Sequence, residues 1–187
     1  MLSFSKDNTP RLPADKLDSR SFKSPYNSDN PLSLDSDMDY DGIFSIVKKS
    51  VRAILGKERS GIGLALSNLP AGLGAYWEVG GNYIVMNELL VEAMKKITKS
   101  KREFNSFVYM ILMHEYLHSL GFIDEAQARS MTIIVTREIF GDEHEATKMS
   151  STDLWKQYPL LLSLGGGDGS ILKIISKFDS DTTSYIS

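Results

Sequence analysis

The chain has no cysteine, which excludes disulfide bonds, thiolate metal sites and cysteine nucleophiles. It also lacks an apolar run of the roughly 20 residues that a membrane-spanning helix needs. The longest apolar stretch, FVYMILM at 107–113, is followed at once by a histidine. The N-terminus, MLSFSKDNTPRLP, has no apolar core typical of a signal peptide. We therefore expect a soluble, cytoplasmic protein in which any transition-metal site uses His, Asp or Glu.

A strong bias in charge is absent as well, because the net charge is only −3. Nothing in this balance favours nucleic acid as a partner. The 187 residues suffice for one domain with a real core. Residues 1–40 are rich in Ser, Asp, Asn and Pro, which predicts a disordered N-terminal arm. We expect the domain itself at 41–150 and a C-terminal tail at 151–187.

Hydrophobic periodicity predicts an α+β fold with a small β-sheet. Helical patterns cover 43–54, 89–99, 102–120 and 124–140, with glycines at positions 56, 121 and 141 as stops. Short strand-like segments cover 62–66, 75–79 and 82–86. The pair Gly80-Gly81 between the last two predicts a hairpin turn. Asp124, three residues before Gln127, has the spacing of a helix cap.

Two of the three histidines lie in MHEYLHSLGFIDE, residues 113–125. His114 and His118 are four apart, so one helix face presents both imidazoles to the same point. Two packed core histidines are the structural alternative, but buried imidazoles one turn apart are hard to satisfy without a metal ion. Glu115 completes an HExxH motif, in which the glutamate takes a proton from a zinc-bound water. The motif therefore predicts a zinc site with Glu115 as general base.

Catalytic zinc needs a third protein ligand, and the sequence offers several candidates. Asp124 lies at HExxHxxGxxD spacing, although it also suits the helix cap. A glutamate of the following helix, such as Glu125 or Glu138, is a second candidate. His144 is the third, and a surface histidine is its structural alternative. We favour His144 because imidazole is the commonest partner in a cysteine-free site and all three histidines lie within 31 residues.

HEYLHSLG, the following acidic helix and FGDEH (140–144) resemble the minigluzincins, compact zincin-type metallopeptidases. The resemblance covers residues 42–150. It implies a zincin-like domain with a small sheet, a backing helix, an HExxH helix and a further helix leading to the third ligand. It also implies His114, His118 and His144 as Zn²⁺ ligands, Glu115 as general base, and NYIVMN (82–87) as the edge strand that pairs with substrate.

These observations lead us to expect a zinc-dependent metallopeptidase that acts on peptides or proteins through a zinc-bound water activated by Glu115. The resemblance implies latency, with the apolar segments at 154–164 and 171–178 covering the cleft or linking a homodimer. Completion of the core is the structural alternative for these segments. A non-catalytic zinc-binding or protein-interaction module with a zincin-like fold is the alternative function. For the oxyanion the sequence offers four candidate donors without a choice between them: Tyr83, Tyr116, Arg129 and Arg137.

Overall fold

The computed structural model describes residues 31–70 and 72–180, which form an α+β fold as predicted. The described residues contain six helices: α1 (Tyr40–Leu55), α2 (Glu88–Ile97), α3 (Lys101–Ser119), α4 (Glu125–Phe140), α5 (Glu145–Ser151) and α6 (Leu154–Gln157). They also contain four strands: β1 (Gly63–Ser67), β2 (Ala75–Trp77), β3 (Tyr83–Asn87) and β4 (Leu172–Ile175). A short 3₁₀ turn, Pro159–Ser163, lies between α6 and β4.

The strands form one mixed sheet in the order β2-β3-β1-β4. β3 pairs in parallel with β1, with Tyr83 opposite Gly63, and antiparallel with β2 across the predicted hairpin turn. β4 adds to the other side of β1 in antiparallel orientation. The prediction that 82–87 is an edge strand is therefore wrong, because β3 is hydrogen-bonded on both sides. The edges of the sheet within the described residues are β2 and β4.

The helix ends follow the predicted signals. α1 is followed by Gly56 and α3 by Leu120 and Gly121, and both glycines have positive φ, at 62° and 99°. Such φ values strain any residue with a Cβ, which explains why glycine stands at these stops. Asp124 caps α4, since its side chain accepts a hydrogen bond of 2.8 Å from the backbone N–H of Gln127.

The core lies between the inner face of the sheet and helices α1 and α3. Leu64 and Leu66 of β1 and Ile84 and Met86 of β3 are almost fully buried there. α3 is the central helix, and every residue from Asn105 to His118 is buried. A helix buried on all sides must place its polar residues against protein partners or in a site. The HExxH motif therefore lies in the interior of the fold.

The segments on either side of the predicted domain contribute to this core. Most of the predicted arm, residues 1–30, lies outside the described residues. Leu34 is fully buried, and the side-chain amide of Asn105 donates 2.8 Å hydrogen bonds to the carbonyl oxygens of Leu34 and Ser36. In the tail, Leu154 and Leu161 are both 2% exposed. No helix among the described residues has the length and apolarity needed to cross a membrane.

Candidate metal centre

The last two turns of α3 carry the histidine pair. His114 and His118 are only 3% and 6% exposed, so neither is a surface histidine. Their Nε2 atoms lie 3.1 Å apart, with the rings nearly perpendicular at 84°. The predicted convergence of these two imidazoles is thus present in the structure.

The chain reverses direction directly after the pair. The N–H of Gly121 bonds to the carbonyl of His118, and the N–H of Phe122 bonds to the carbonyl of Leu117. These two bonds form a Schellman motif, which closes a helix and turns the chain back. Asp124 then caps α4, which makes Glu125 the first residue of that helix. The turn and the cap together place Glu125 against the end of α3.

Glu125 completes a group of three possible metal ligands. Its Oε1 lies 3.1 Å from Nε2 of His114, and its Oε2 lies 3.2 Å from Nε2 of His118. Three ligands about 2.0–2.1 Å from a tetrahedral zinc ion would lie roughly 3.3 Å from one another. Across the described part of the chain, this is the one group of three or more His, Cys, Asp or Glu residues with such convergence. The donor set and its spacing therefore fit a metal ion.

A backbone carbonyl orients His118. Its Nδ1 lies 2.8 Å from the carbonyl oxygen of Phe122, so in neutral His118 this nitrogen carries the hydrogen and donates it. The lone pair of a neutral His118 is then on Nε2, which faces His114 and Glu125. An outer hydrogen bond that fixes the tautomer of a metal-binding histidine is a common feature of metal sites.

The electrostatics of the group favour positive charge. Burial alone would raise the pKa of Glu125, but hydrogen bonds from His114 and His118 outweigh it and hold the pKa of this carboxyl well below its usual range. The hydrogen bond to Glu125 likewise raises the pKa of His118, against the opposing effect of burial. The ionised carboxylate therefore stabilises a cation beside the imidazoles.

Glu115 lies next to this group and is completely buried. Neither of its carboxylate oxygens has a hydrogen-bond partner among the described residues. Burial raises the pKa of Glu115, whereas positive charge on His114 and His118 acts in the opposite direction. Buried polar atoms without partners are rare in folded proteins and call for an explanation.

The structure does not bring His144, the favoured third ligand, into the group. Its Nδ1 caps α5 by accepting a 3.1 Å hydrogen bond from the N–H of Ala146, and its ring stacks on Phe140. Glu125 is the first of the 16 residues of α4, and His144 lies beyond the other end of that helix. The helix is about 24 Å long. Burial lowers the pKa of His144, and its charged neighbours include Arg102 in the first turn of α3. His144 thus lies towards the opposite end of α3 from the histidine pair.

The other candidate ligands are also separated from the group. Asp124 uses its side chain for the α4 cap, and Glu138 is exposed near the far end of that helix. Glu125 was one of the ligands that the sequence suggested, but His144 was favoured over it. The available signal was the Asp124 cap, because a capped α4 has Glu125 at its first position, facing the end of α3.

The four candidate oxyanion donors lie in different surroundings. The hydroxyl of Tyr116 accepts a hydrogen bond from the N–H of Arg59 and donates one to its carbonyl. The ring of Tyr83 lies directly over Gly63, where a Cβ would meet it at 2.4 Å. Arg137 is exposed and pairs with Asp142. Arg129, one turn after Glu125, lines a small cavity beside His114.

Comparisons of the chain with protein-family models, with curated proteins and with solved structures find no match. The resemblance to minigluzincins therefore stays a prediction that depends on the HEYLHSLG segment and its surroundings.

Proposed function

We propose that the protein is a zinc-dependent metallopeptidase with His114, His118 and Glu125 as metal ligands and Glu115 as general base. One observation carries the proposal. Two imidazole nitrogens and a carboxylate converge within 3.2 Å of each other, beside a buried carboxylate that has no partner in the described residues. A structural histidine pair would need neither the convergent glutamate nor an unpartnered acid.

The donor set supports zinc as the metal. Nitrogen and oxygen ligands without thiolates suit Zn²⁺, and three protein ligands leave a fourth position open for water or substrate. When bound, the ion would lower the pKa of a water molecule and polarise the carbonyl of the scissile bond. The side chain of Glu125 is 44% exposed, so the ligand group opens to solvent on that side.

The residues of the chain would supply the proton transfers and the orientation. A carboxylate oxygen of Glu115 would accept the proton of the attacking water and deliver it to the nitrogen of the leaving amine. The Phe122 carbonyl would hold the ring of His118 in its ligating tautomer. The negative charge of Glu125 would offset part of the charge of the ion.

An extended substrate would pair with β2 instead of β3. β2 (Ala75–Trp77) is an edge of the sheet in the described residues and packs against α3. The far edge of β1 is occupied by β4, so β2 is the edge next to the histidine helix. Backbone pairing of a peptide with such an edge gives affinity with little dependence on sequence.

Latency and homodimer formation through the C-terminal tail stay predictions. The tail contributes the buried residues Leu154 and Leu161 together with strand β4. Deletion of 151–187 would therefore remove part of the core, and it is not a clean test of inhibition. A protease cut within the exposed glycines 165–166, followed by an activity assay, avoids this problem. Activity that rises after the cut would support latency.

Metal titration and a peptidase assay together test the proposed function. We expect one zinc ion to bind the wild-type protein, with at least about 100-fold weaker binding after His114→Ala, His118→Ala or Glu125→Gln. His144→Ala is the matched control and should leave zinc affinity unchanged. Glu115→Gln should keep the zinc and lose about 10²–10⁴-fold in the hydrolysis of unfolded casein.

The outcomes separate this proposal from its alternatives. Zinc binding without hydrolysis by the wild type would favour a non-catalytic zinc-binding module. A wild-type protein that binds no zinc would contradict both zinc hypotheses and favour an interaction module. If His144→Ala weakened zinc binding as strongly as Glu125→Gln, the ligand assignment made here would be wrong.

A further inference from the structure

Arg59 lies between two parts of the candidate site, the end of α3 and the β2–β3 hairpin. The residue is half-buried, and one nitrogen of its guanidinium donates a 3.0 Å hydrogen bond to the carbonyl of Ser119. Another nitrogen donates to the carbonyl of Gly81 at 2.9 Å and to the side-chain oxygen of Asn82 at 2.8 Å. A single planar group thus connects the histidine helix to the hairpin.

The contact on α3 is at the end of the helix that carries the histidine pair. Ser119 is the last residue of α3 and directly follows the candidate ligand His118. The last carbonyls of a helix have no partner inside the helix and form the negative end of its dipole. The permanent charge of Arg59 suits this carbonyl, and its rigid fork of donors holds two acceptors in fixed directions. The guanidinium therefore fixes the hairpin relative to the last turn of α3.

The same guanidinium also contacts the edge strand β2. Its central carbon lies 5.4 Å from the centre of the Trp77 ring, which is a cation–π contact. Trp77 is the last residue of β2 and pairs with the buried Ile84, so both side chains are on the inner face of the sheet. The indole N–H donates a 2.9 Å hydrogen bond to the carbonyl of Gly81, which Arg59 also binds. One group of contacts thus holds β2 and its turn to the end of α3.

The backbone of residue 59 is anchored separately from its side chain. The Tyr116 hydroxyl accepts a 2.7 Å hydrogen bond from the N–H of Arg59 and donates one of 3.0 Å to its carbonyl. A substitution at this position leaves both backbone groups in place, so it removes the guanidinium bridge without releasing the segment. The role of the side chain is therefore open to a direct test.

We infer that Arg59 is a positioning residue that sets the distance between the β2 edge and the candidate metal centre. The inference rests on the proposed peptidase function and adds how the site aligns its substrate class, extended peptides. Such a peptide must pair with β2 and reach the metal centre at the same time, so the two have to be held at a matching distance. Arg59 acts through β2 and not on the reacting bond.

Equilibrium binding of peptides to zinc-loaded Glu115→Gln protein tests the inference without turnover. The probes are two versions of one blocked, uncharged octapeptide of Ala, Ser and Val, with N-methyl groups on either its odd or its even residues. A peptide that pairs with an edge strand uses the amides of alternate residues, so only one version loses its hydrogen bonds to β2. We expect the affinities of the two versions to differ by about tenfold or more.

Variants then connect this difference to Arg59. Arg59→Gln should reduce it to about threefold or less and leave zinc affinity unchanged, because glutamine is too short to bridge both carbonyls. Arg59→Lys keeps the charge but lacks the fork, so it should restore part of the difference. Trp77→Phe keeps a ring but removes the N–H that binds the turn, and it should give an intermediate value. Arg52→Gln is the matched control, because Arg52 is an exposed arginine of α1 that pairs with Glu58.

Steady-state kinetics of the active enzyme separate positioning from a general loss of structure. Arg59→Gln should raise KM for the unmethylated octapeptide by about tenfold and leave its kcat nearly unchanged, since the lost interaction is one of binding. A blocked dipeptide is too short to pair along β2, so its kcat and KM should stay close to those of the wild type.

Equal binding of the two methylated peptides when Arg59 is present would overturn the inference. So would an Arg59→Gln protein that keeps the full difference, or one that loses kcat equally for the octapeptide and the dipeptide. The last result would assign Arg59 to the stability of the fold. A wild-type protein that binds zinc and cleaves casein while showing no such difference contradicts this inference alone. Failure to bind zinc contradicts the proposed function instead.

Discussion

Two buried acids, Glu115 and Asp179, have opposite surroundings. The side chain of Asp179 accepts hydrogen bonds from Lys48 Nζ at 2.5 Å, from the N–H of Gly61 at 2.7 Å and from the N–H of Ile62 at 3.1 Å. Glu115 is buried even more completely, yet neither of its oxygens has a partner in the described residues. Asp179 connects the C-terminal tail to α1 and to the segment before β1, whereas Glu115 lies next to the candidate metal centre.

A buried carboxylate can be stabilised by partners within the fold, or it can be left without them beside a site. Burying a carboxylate costs several kcal/mol unless hydrogen bonds and an opposite charge offset the cost. At Asp179 the partners are present, so the acid holds the fold together. At Glu115 no such partner is present among the described residues, so nothing in the described part of the fold offsets the burial of its charge. An unpartnered buried acid beside two histidines is therefore a stronger indication of function than burial alone.

The largest expected effect on stability is at Asp179. Asp179→Asn keeps a residue that tolerates the φ of 56° at this position but removes the charge opposite Lys48. We expect the free energy of unfolding to fall by about 3 kcal/mol, since an uncompensated buried charge costs roughly 3–5 kcal/mol. Glu58, 3.7 Å from Lys48, offsets part of the loss. Urea unfolding followed by circular dichroism measures the change.

Asp168→Asn is the matched control for that measurement. Asp168 lies in the same tail but is exposed, and its side chain accepts a hydrogen bond from the N–H of Ser170 that asparagine can also accept. Its substitution should leave the free energy of unfolding nearly unchanged. Equal effects at positions 168 and 179 would mean that the Lys48–Asp179 pair contributes nothing specific to the fold.

Glu115→Gln should affect stability far less than Asp179→Asn. The substitution keeps the volume of the side chain and breaks no hydrogen bond within the described residues, so the free energy of unfolding should change by less than about 1 kcal/mol. The measurement needs a chelator, because a bound ion would stabilise the folded state and obscure the comparison. A loss as large as that at Asp179 would mean that Glu115 has a structural partner.

Local patterns predicted helices α1 to α4, the turns and the histidine pair, but not the short helices α5 and α6. The i, i+4 spacing of His114 and His118 fixes their common face whenever the segment is helical. Gly56, Gly121 and the Asp124 cap mark helix ends through backbone geometry, which the sequence records directly. These features depend only on residues a few positions apart.

Features that depend on long-range packing were not predictable in the same way. His144 was favoured by residue type, but the length of α4 carries it away from the histidine pair. Glu125, which lies beside the histidine pair, is at the start of that helix, so the direction in which α4 runs decided which of His144 and Glu125 joins the group. The position of β3 in the sheet likewise depends on the parallel pairing with β1 and on the hairpin to β2. Neither partner is evident from the alternation of residues within β3 itself.

The smallest expected effect concerns Asp41, a third buried acid, which resembles Asp179 more than Glu115. Its carboxylate accepts hydrogen bonds from the N–H and the hydroxyl of Ser180. Burial alone would raise the pKa of Asp41, but the bonds from Ser180 and the nearby charge of Lys177 together outweigh it and lower the pKa below the ordinary value of 3.8.

Because the pKa of Asp41 is lowered in the folded state, the stabilisation is present above about pH 4 and is lost as the pH falls towards the folded-state pKa. The stability difference between wild type and Asp41→Asn should therefore shrink from pH 7 to pH 3 in urea unfolding. Ser180→Ala removes one of the two donors and should show an intermediate dependence on pH. A difference that stays constant over this range would mean that the charge of Asp41 contributes nothing, and the comparison of buried acids would then depend on Asp179 alone.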